Sequence, residues 1–449
     1  MKKNNHGVFS NHLRFILAVA AFLRLAAILV IHNWHNPEMW EFGIIARNLA
    51  SGKGFWLKTL ADVPVPSAFM PPAYEYFLAG MFGIFGDRAF TYILIQILQA
   101  ASCVLLVFLV YRTAQLLFGE SVALVSAWLA ALYPPFIYMC TEMHPISFYI
   151  VMSLAVIFYL HRFLETGGGP GDLVQAGILL GILLMFRAEA LALIFLFSGI
   201  VLLRSNKGRK LRNAAVFFIL PVMCLAPWTI RNYRLFDCWV PITTSGGLNL
   251  WYGHNPDATG SQRHAWPDGT VVQPPAALRE LILQIPADVH YEIALDQLYR
   301  RQALAFLSTH PLREVQLLGN KFVYFWVFDF NHPKARNPLY WAPSFGLVLL
   351  WAYAGLRHRG SALREHLLFT VSIFFTMAVC LALFVLPRYR MVVEPLMIPF
   401  AAETIVWAYS KSRMESDARR RVKQTVSSLV PGVVDHALTA GAISTPDNK

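Results

Sequence analysis

A chain of 449 residues that is 56% hydrophobic and only 14% charged is too apolar for a soluble globular protein of this length. Its formal net charge of +12 would suit nucleic acid. The basic residues, however, gather in short loops between apolar runs, the positive-inside pattern of a membrane protein, and no nucleic-acid partner is expected. The five cysteines at 103, 140, 224, 238 and 380 are scattered, with no CxxC pair, which leaves neither a disulfide framework nor a zinc pattern.

Lys2 and Lys3 precede a first apolar run over 13–32. Arg24 interrupts it and no small-residue cleavage site follows, so it reads as an uncleaved span. Further spans are expected over 90–111, 120–140, 145–163, 172–187, 188–203, 212–230, 339–356, 366–386 and 391–410. The loop 204–212 carries Arg204, Lys207, Arg209, Lys210 and Arg212 and no acid. It is expected in the cytoplasm, as are Arg357-His358-Arg359 and the tail holding Arg419, Arg420 and Arg421. Counting outward from these anchors leaves 33–89, 140–145, the turn at Arg187, 231–338 and Pro387–Arg390 on the outer side. The apolar stretches 72–86 and 315–330 would reverse a basic loop if they crossed, so they are expected as helices at the outer interface.

The expected fold is an all-α polytopic membrane protein of about 10–12 transmembrane helices. It divides into a membrane core over 1–230 with its first outer loop at 33–89, an outer segment over 231–338, C-terminal membrane helices over 339–410 and a basic cytoplasmic tail over 411–449. The outer segment has no lysine through residue 313 and balances its arginines with acids. It starts in turn chemistry around Thr243–Gly247 and Gly253–Pro256 and ends in an amphipathic helix near 286–308.

The topology gathers Glu38 and Glu41, Glu142 and His144, Arg187 and Glu189, Arg231, Arg388 and Arg390 on one membrane face. Ionisable groups at a membrane boundary are costly to desolvate and mark candidate functional sites. A carboxylate can take a proton from a hydroxyl, and guanidinium forks can hold a phosphate. Plainer roles stand beside these. Glu38 and Glu41 could be solvated acids, Arg187 could pair with Glu189, and Arg231, Arg388 and Arg390 could anchor helix ends. His144 precedes Pro145 as a helix-start residue would, and the histidines show no ligand spacing.

Four stretches resemble glycosyltransferase family 39 of the GT-C superfamily, which includes protein O-mannosyltransferases and lipid A aminoarabinose transferases. Pro37-Glu38, Phe42, Ala46-Arg47-Asn48-Leu49 and Gly52-Lys53-Gly54-Phe55 follow the family's acidic first loop. Met70-Pro71-Pro72-Ala73-Tyr74, Pro227-Trp228-Thr229-Ile230-Arg231-Asn232-Tyr233 and Pro387-Arg388-Tyr389-Arg390 with Glu394-Pro395 complete the series. Glu38 stands where the family has Asp, and Phe42 where it has Tyr. The resemblance implies a GT-C-like bundle with an acidic first extracytoplasmic loop. It implies transfer of a hexose or pentose from a polyprenyl-phosphate donor to a lipid, glycan or protein acceptor hydroxyl outside the cytoplasm, by inverting displacement. Glu38 would be the general base, with Glu41, Glu142 and His144 in support. Arg187, Arg388 and Arg390, and Arg231 beside them, would hold the lipid phosphate. No cofactor is assigned, and a divalent metal is compatible with the pattern. A bacterial inner membrane, with the active site facing the periplasm, suits the compact chain. A transporter or flippase, or an O-antigen polymerase or ligase, is the competing reading.

Overall fold

The computed structural model describes residues 5–261, 274–329, 337–358 and 366–429, and among them the chain is helical apart from one two-stranded hairpin. The hairpin apart, this is the all-α polytopic architecture expected from the sequence. The N-terminal half runs through α1 (Asn5–Ile31), α2 (Trp40–Ala50), the hairpin β1 (Trp56–Lys58) and β2 (Pro64–Pro66), α3 (Pro72–Phe85), α4 (Ala89–Phe118), α5 (Glu120–Leu132), α6 (Pro134–Tyr138), α7 (Ile146–Glu165), α8 (Pro170–Leu184), α9 (Leu191–Arg204) and α10 (Lys210–Phe236). The second half runs through α11 (Gly246–Gly253), α12 (Ala276–Leu283), α13 (Tyr291–Thr309), α14 (Pro311–Trp326), α15 (Pro338–His358), α16 (Leu367–Ala382), the single turn α17 (Pro387–Arg390) and α18 (Glu394–Leu429).

Among the described residues, five helices are long and apolar enough to cross a membrane, or six if a bent pair counts as one span. The sequence led us to expect more unbroken spans, and three local causes account for part of the difference. The run 120–140 is bent by 55° where Pro134 and Pro135 interrupt the backbone ladder. The runs 172–187 and 188–203 become α8 and α9, of 15 and 14 residues, both shorter than the roughly 20 residues a bilayer core needs. The intervening break carries Arg187 and Glu189. The last run becomes a 36-residue helix that continues through the polar tail.

Two devices hold the bundle together. Arg24 on α1 is fully buried. It donates to the carbonyls of Ala131 at 3.1 Å and Ala130 at 3.3 Å, so its cation caps the end of α5. On α8, Gly177 and Gly181 form a small-xxx-small pair against α10. A Cβ at Gly177 would lie 2.9 Å from Leu220, and one at Gly181 2.5 Å from Cys224. Only glycine admits so close a crossing, a packing mode that bilayer helices favour because lipid supplies no hydrophobic drive.

The face that carries the expected outer segments is built from three pieces. The first loop folds as α2, the hairpin and α3, packed through Met39, Phe42, Tyr74, Leu78 and Phe82. Residues 243–261 and α12 to α13 form a second unit around Trp251, Leu278, Ile282, Tyr299 and Ala303. Helix α14 is turned inside out. It exposes Leu312, Val315, Leu318, Phe322 and Val323 while burying Glu314 and Lys321, as expected of a helix whose outward face meets lipid rather than water. Helices α3, α13 and α14 lie close to where the sequence placed interfacial or amphipathic segments. Residues 262–273 and 330–336 of the expected outer segment, Arg359 of the expected basic loop, and 430–449 of the expected tail lie outside the described residues.

Candidate active site

A cavity of about 470 Å³ opens where the first outer loop, the α6–α7 connection, the α8–α9 turn, α11 and the α16–α17 connection meet. Glu41, His144, Arg187, Glu189 and Arg388 all line it. Its deeper walls are apolar, formed by Val156 and Ile157 of α7, Leu193 and Phe197 of α9, Phe375 and Val379 of α16, and Leu396 of α18. On α16 the lining runs from Cys380 to Ser372, about 12 Å along the helix axis at 1.5 Å per residue. The hydroxyls in this slot are turned to their own helices. Ser153 donates to the Tyr149 carbonyl at 2.8 Å, Ser372 to Leu368 at 2.6 Å and Thr376 to Ser372 at 2.9 Å.

The acidic wall comes from the start of α2. Trp40 takes φ of 40°, a left-handed conformation that costs a non-glycine residue roughly 1–2 kcal/mol, and both Trp40 and Glu41 reach the cavity. His144 is buried between the rings of Phe42 (5.5 Å) and Trp40 (6.1 Å). Its Nδ1 accepts the Ile146 N–H at 3.2 Å, which assigns the proton of the neutral ring to Nε2.

The cationic wall holds two arginines in different states. Arg187 pairs with Glu189 through Nε and lies 4.8 Å from the Tyr389 ring and 5.5 Å from the Tyr149 ring. It is both the ion pair that the sequence allowed and a cavity wall. Arg388 makes no ion pair or hydrogen bond among the described residues, and its buried Nε has no partner. A buried N–H without a partner costs free energy that an acceptor on a bound anion would recover.

The remaining candidates sit elsewhere. Glu38 is exposed and outside the cavity lining. Glu142 hydrogen-bonds the Tyr138 hydroxyl, which also feels the charge of Glu38, so these two acids gather at α6. Arg390 is buried. It donates to the carbonyls of Phe325 at 3.1 Å and Val327 at 2.6 Å, and its Nε lies 3.4 Å from Glu394. It thus caps the end of α14. Arg231 donates to the Ser67 carbonyl at 2.7 Å and stacks over Trp228 at 4.7 Å, tying the first loop to α10. Among the described residues no group of three or more His, Cys, Asp or Glu side chains is placed to hold a metal ion.

Sequence reasoning missed several wall residues. Tyr389 directly follows Arg388 in sequence, lines the cavity, and its ring is a contact of Arg187. Thr243, Ser245, Asn249 and Tyr252 line the outer side. Buried Glu292 on α13 accepts the Ala68 N–H at 2.9 Å and the Thr244 hydroxyl at 2.6 Å. It thereby joins the segment leading to Met70 and Pro71 with the segment leading to α11. The turn residues of 243–247 were visible in the sequence, but their arrival at the cavity depends on α13.

Residues 70–230 match the sequence model of the dolichyl-phosphate-mannose-protein mannosyltransferase family. No curated protein matches the chain. The oligosaccharyltransferase of Archaeoglobus fulgidus in its apo form aligns with a TM-score of 0.54 at 11% identity, over 91% of this chain and 52% of that one. The archaeal oligosaccharyltransferase AglB from the same organism, solved with an inhibitory peptide and a dolichol-phosphate, gives 0.53 at 11% identity, over 96% and 54%. ArnT from Cupriavidus metallidurans bound to undecaprenyl phosphate gives 0.37 at 12% identity, over 87% and 77%. The chain spans about half the length of the oligosaccharyltransferase, and at such identities the likeness is one of fold. The chain therefore has the fold of the GT-C membrane glycosyltransferases, and across residues 70–230 it carries the pattern of the dolichyl-phosphate-mannose-protein mannosyltransferase family.

Proposed function

We propose that this chain is a membrane glycosyltransferase that moves a sugar from a polyprenyl-phosphate donor to an acceptor hydroxyl at the outer face of the membrane. The observation that carries this reading is Arg388, a cation without a counterion among the described residues, lining the same cavity as Glu41. The apolar slot below suits the first isoprene units of a lipid carrier. Further support comes from the family matched over residues 70–230, whose donor is a dolichyl phosphate sugar, and from the dolichol-phosphate bound to a protein of the same fold.

The donor phosphate sits between Arg388 and the Nη atoms of Arg187, which make no hydrogen bond among the described residues, and charge-assisted hydrogen bonds there stabilise it as a leaving group. Glu41 accepts the proton of the incoming hydroxyl while that oxygen bonds the anomeric carbon. The bond from that carbon to the phosphate oxygen breaks on the opposite face, releasing polyprenyl phosphate and inverting the centre. Because phosphate departs as a stable anion, no second carboxylic acid is required, unlike glycosidase chemistry. His144 lies on the same wall, its ring held by the Ile146 N–H. Glu38, the acid that aligns with the family's first-loop Asp, is the competing base, and its exposure outside the cavity favours Glu41.

The basic loop 204–212 lies at the far end of α9 from Arg187, so the positive-inside rule orients the cavity toward the exterior, the periplasm if the membrane is a bacterial inner one. Transfer by the purified protein from a radiolabelled polyprenyl-phosphate sugar tests the assignment. Glu41→Gln is expected to lower kcat by about 10²–10⁴-fold with donor affinity kept, and Glu38→Gln to stay within severalfold of the parent. The reverse ranking would return the base to Glu38, and a parent protein that transfers no sugar would refute the function.

A further inference from the structure

We propose that α11 with the segment leading into it is the sugar-recognition wall. In this assignment the Asn249 amide, flanked by the hydroxyls of Thr243 and Ser245, hydrogen-bonds the hydroxyls of an uncharged sugar on the donor. The proposal rests on the polyprenyl-phosphate reading above and names the class of sugar that reading leaves open.

Position comes first. Helix α11 lies against the connection that leads into α17 and Arg388. A Cβ on Gly253 would fall 1.7 Å from the Leu383 carbonyl oxygen, and the Tyr252 ring is 5.9 Å from that of Phe384. A sugar esterified to a phosphate on Arg388 therefore meets α11 first. Asn249 is nearly one helical turn back from Tyr252, about 5 Å along the axis, the reach of a single sugar ring.

Asn249 lines the cavity half-buried, and its side chain makes no hydrogen bond among the described residues. An amide offers both donors and an acceptor, which matches a ring of hydroxyls. The Ser245 hydroxyl donates to Thr243 at 3.3 Å, so the pair still presents a free acceptor lone pair and a donor. None of the three is ionisable, so this wall matches neutral hydroxyls rather than an ammonium or carboxylate substituent.

The wall is also rigid. The Gly247 N–H donates to Asp296, and a Cβ there would sit 2.0 Å from the Asp296 carbonyl oxygen. Glu292 fixes Thr244. Beyond the far end of α11, buried His254 contacts Glu314 at 2.8 Å and Lys321 at 3.2 Å. A polar side chain on a helix clamped at both ends is preorganised to read geometry.

The test compares two probes on the full-length protein in lipid nanodiscs, undecaprenyl-phosphate-mannose and bare undecaprenyl phosphate. Asn249→Ala is expected to weaken binding of the mannosyl lipid about tenfold, the loss of one to two hydrogen bonds, and to leave the bare lipid unchanged. The unchanged arm also reports that the variant is folded. Equal losses for both probes, or none for either, would overturn the proposal. A parent protein that binds the bare lipid without preferring any neutral sugar-bearing one would overturn this inference alone, whereas binding of neither lipid would overturn it together with the reading beneath it.

Discussion

Arg388 and Arg390 stand two residues apart with the same charge and opposite employment. Side chains at i and i+2 of a helical turn do not share a face. Within α17 one guanidinium therefore opens on the cavity while the other turns inward to Glu394 and the end of α14. The two substitutions to alanine should separate cleanly. Arg388→Ala is expected to weaken undecaprenyl phosphate binding by about 10–100-fold, the value of a charged hydrogen-bonding group, with thermal stability kept. Arg390→Ala leaves the Glu394 carboxylate buried with the Ser344 hydroxyl but without its cation and should cost about 3–5 kcal/mol, seen as a large drop in melting temperature or loss of folded protein. The same division separates Glu41, on the cavity, from exposed Glu38. Residue types and their common membrane face were legible in the sequence. Which of two neighbouring charges turns to the cavity was not, because α2 starts from a left-handed Trp40 and α17 is one isolated turn, and neither orientation follows from periodicity.

Among the elements, the outer helices show most plainly how the surroundings set the meaning of a sequence. A hydropathy window finds the apolar residues of α14 but does not reveal that its polar pair faces inward. Glu314 and Lys321 point into the protein because His254 and the last carbonyls of α16 await them there, with Lys321 Nζ 3.2 Å from the Leu381 carbonyl. Burial pulls the Lys321 ammonium from its ordinary 10.5 down to about 8. Below pH 8 the lysine is charged folded or unfolded, and its burial cost is fully present. Between about pH 8 and 10.5 the folded state releases the proton that the unfolded chain still holds, so stability rises with pH through that window. Melting temperatures measured across it should climb for the parent relative to Lys321→Met, which lacks the titrating group. A flat difference would show that Lys321 keeps its ordinary affinity for protons. Helices α8 and α9 mark the opposite limit of sequence reading. Their apolar runs, the turn at Arg187 between them and its pairing with Glu189 were all visible in the sequence, whereas the turn's place in a cavity wall depends on the α16–α17 connection that packs against it.

At the scale of the whole molecule, the bundle delivers short outer connections from distant parts of the chain to one cavity. Residues 40–42, 69–71, 144–145, 187–190, 243–252 and 383–389 all contribute to its walls. The basic loops were sufficient to predict that most of these share a side, because orientation depends on charge counts alone. The 243–252 wall was not foreseeable in the same way. It reaches the cavity through backbone contacts of Gly247 with α13 and Gly253 with the α16–α17 connection, which no local pattern announces. The account stands on the claim that this cavity receives a polyprenyl phosphate with its charge at the arginines and its chain in the slot between α7 and α16. A cryo-electron microscopy structure of the protein in nanodiscs with undecaprenyl phosphate tests that claim most directly. The account predicts phosphate density within hydrogen-bonding distance of Arg388 and Arg187, and isoprene density running past Val156 and Val379. Lipid bound at another surface, with the cavity filled only by water, would contradict it.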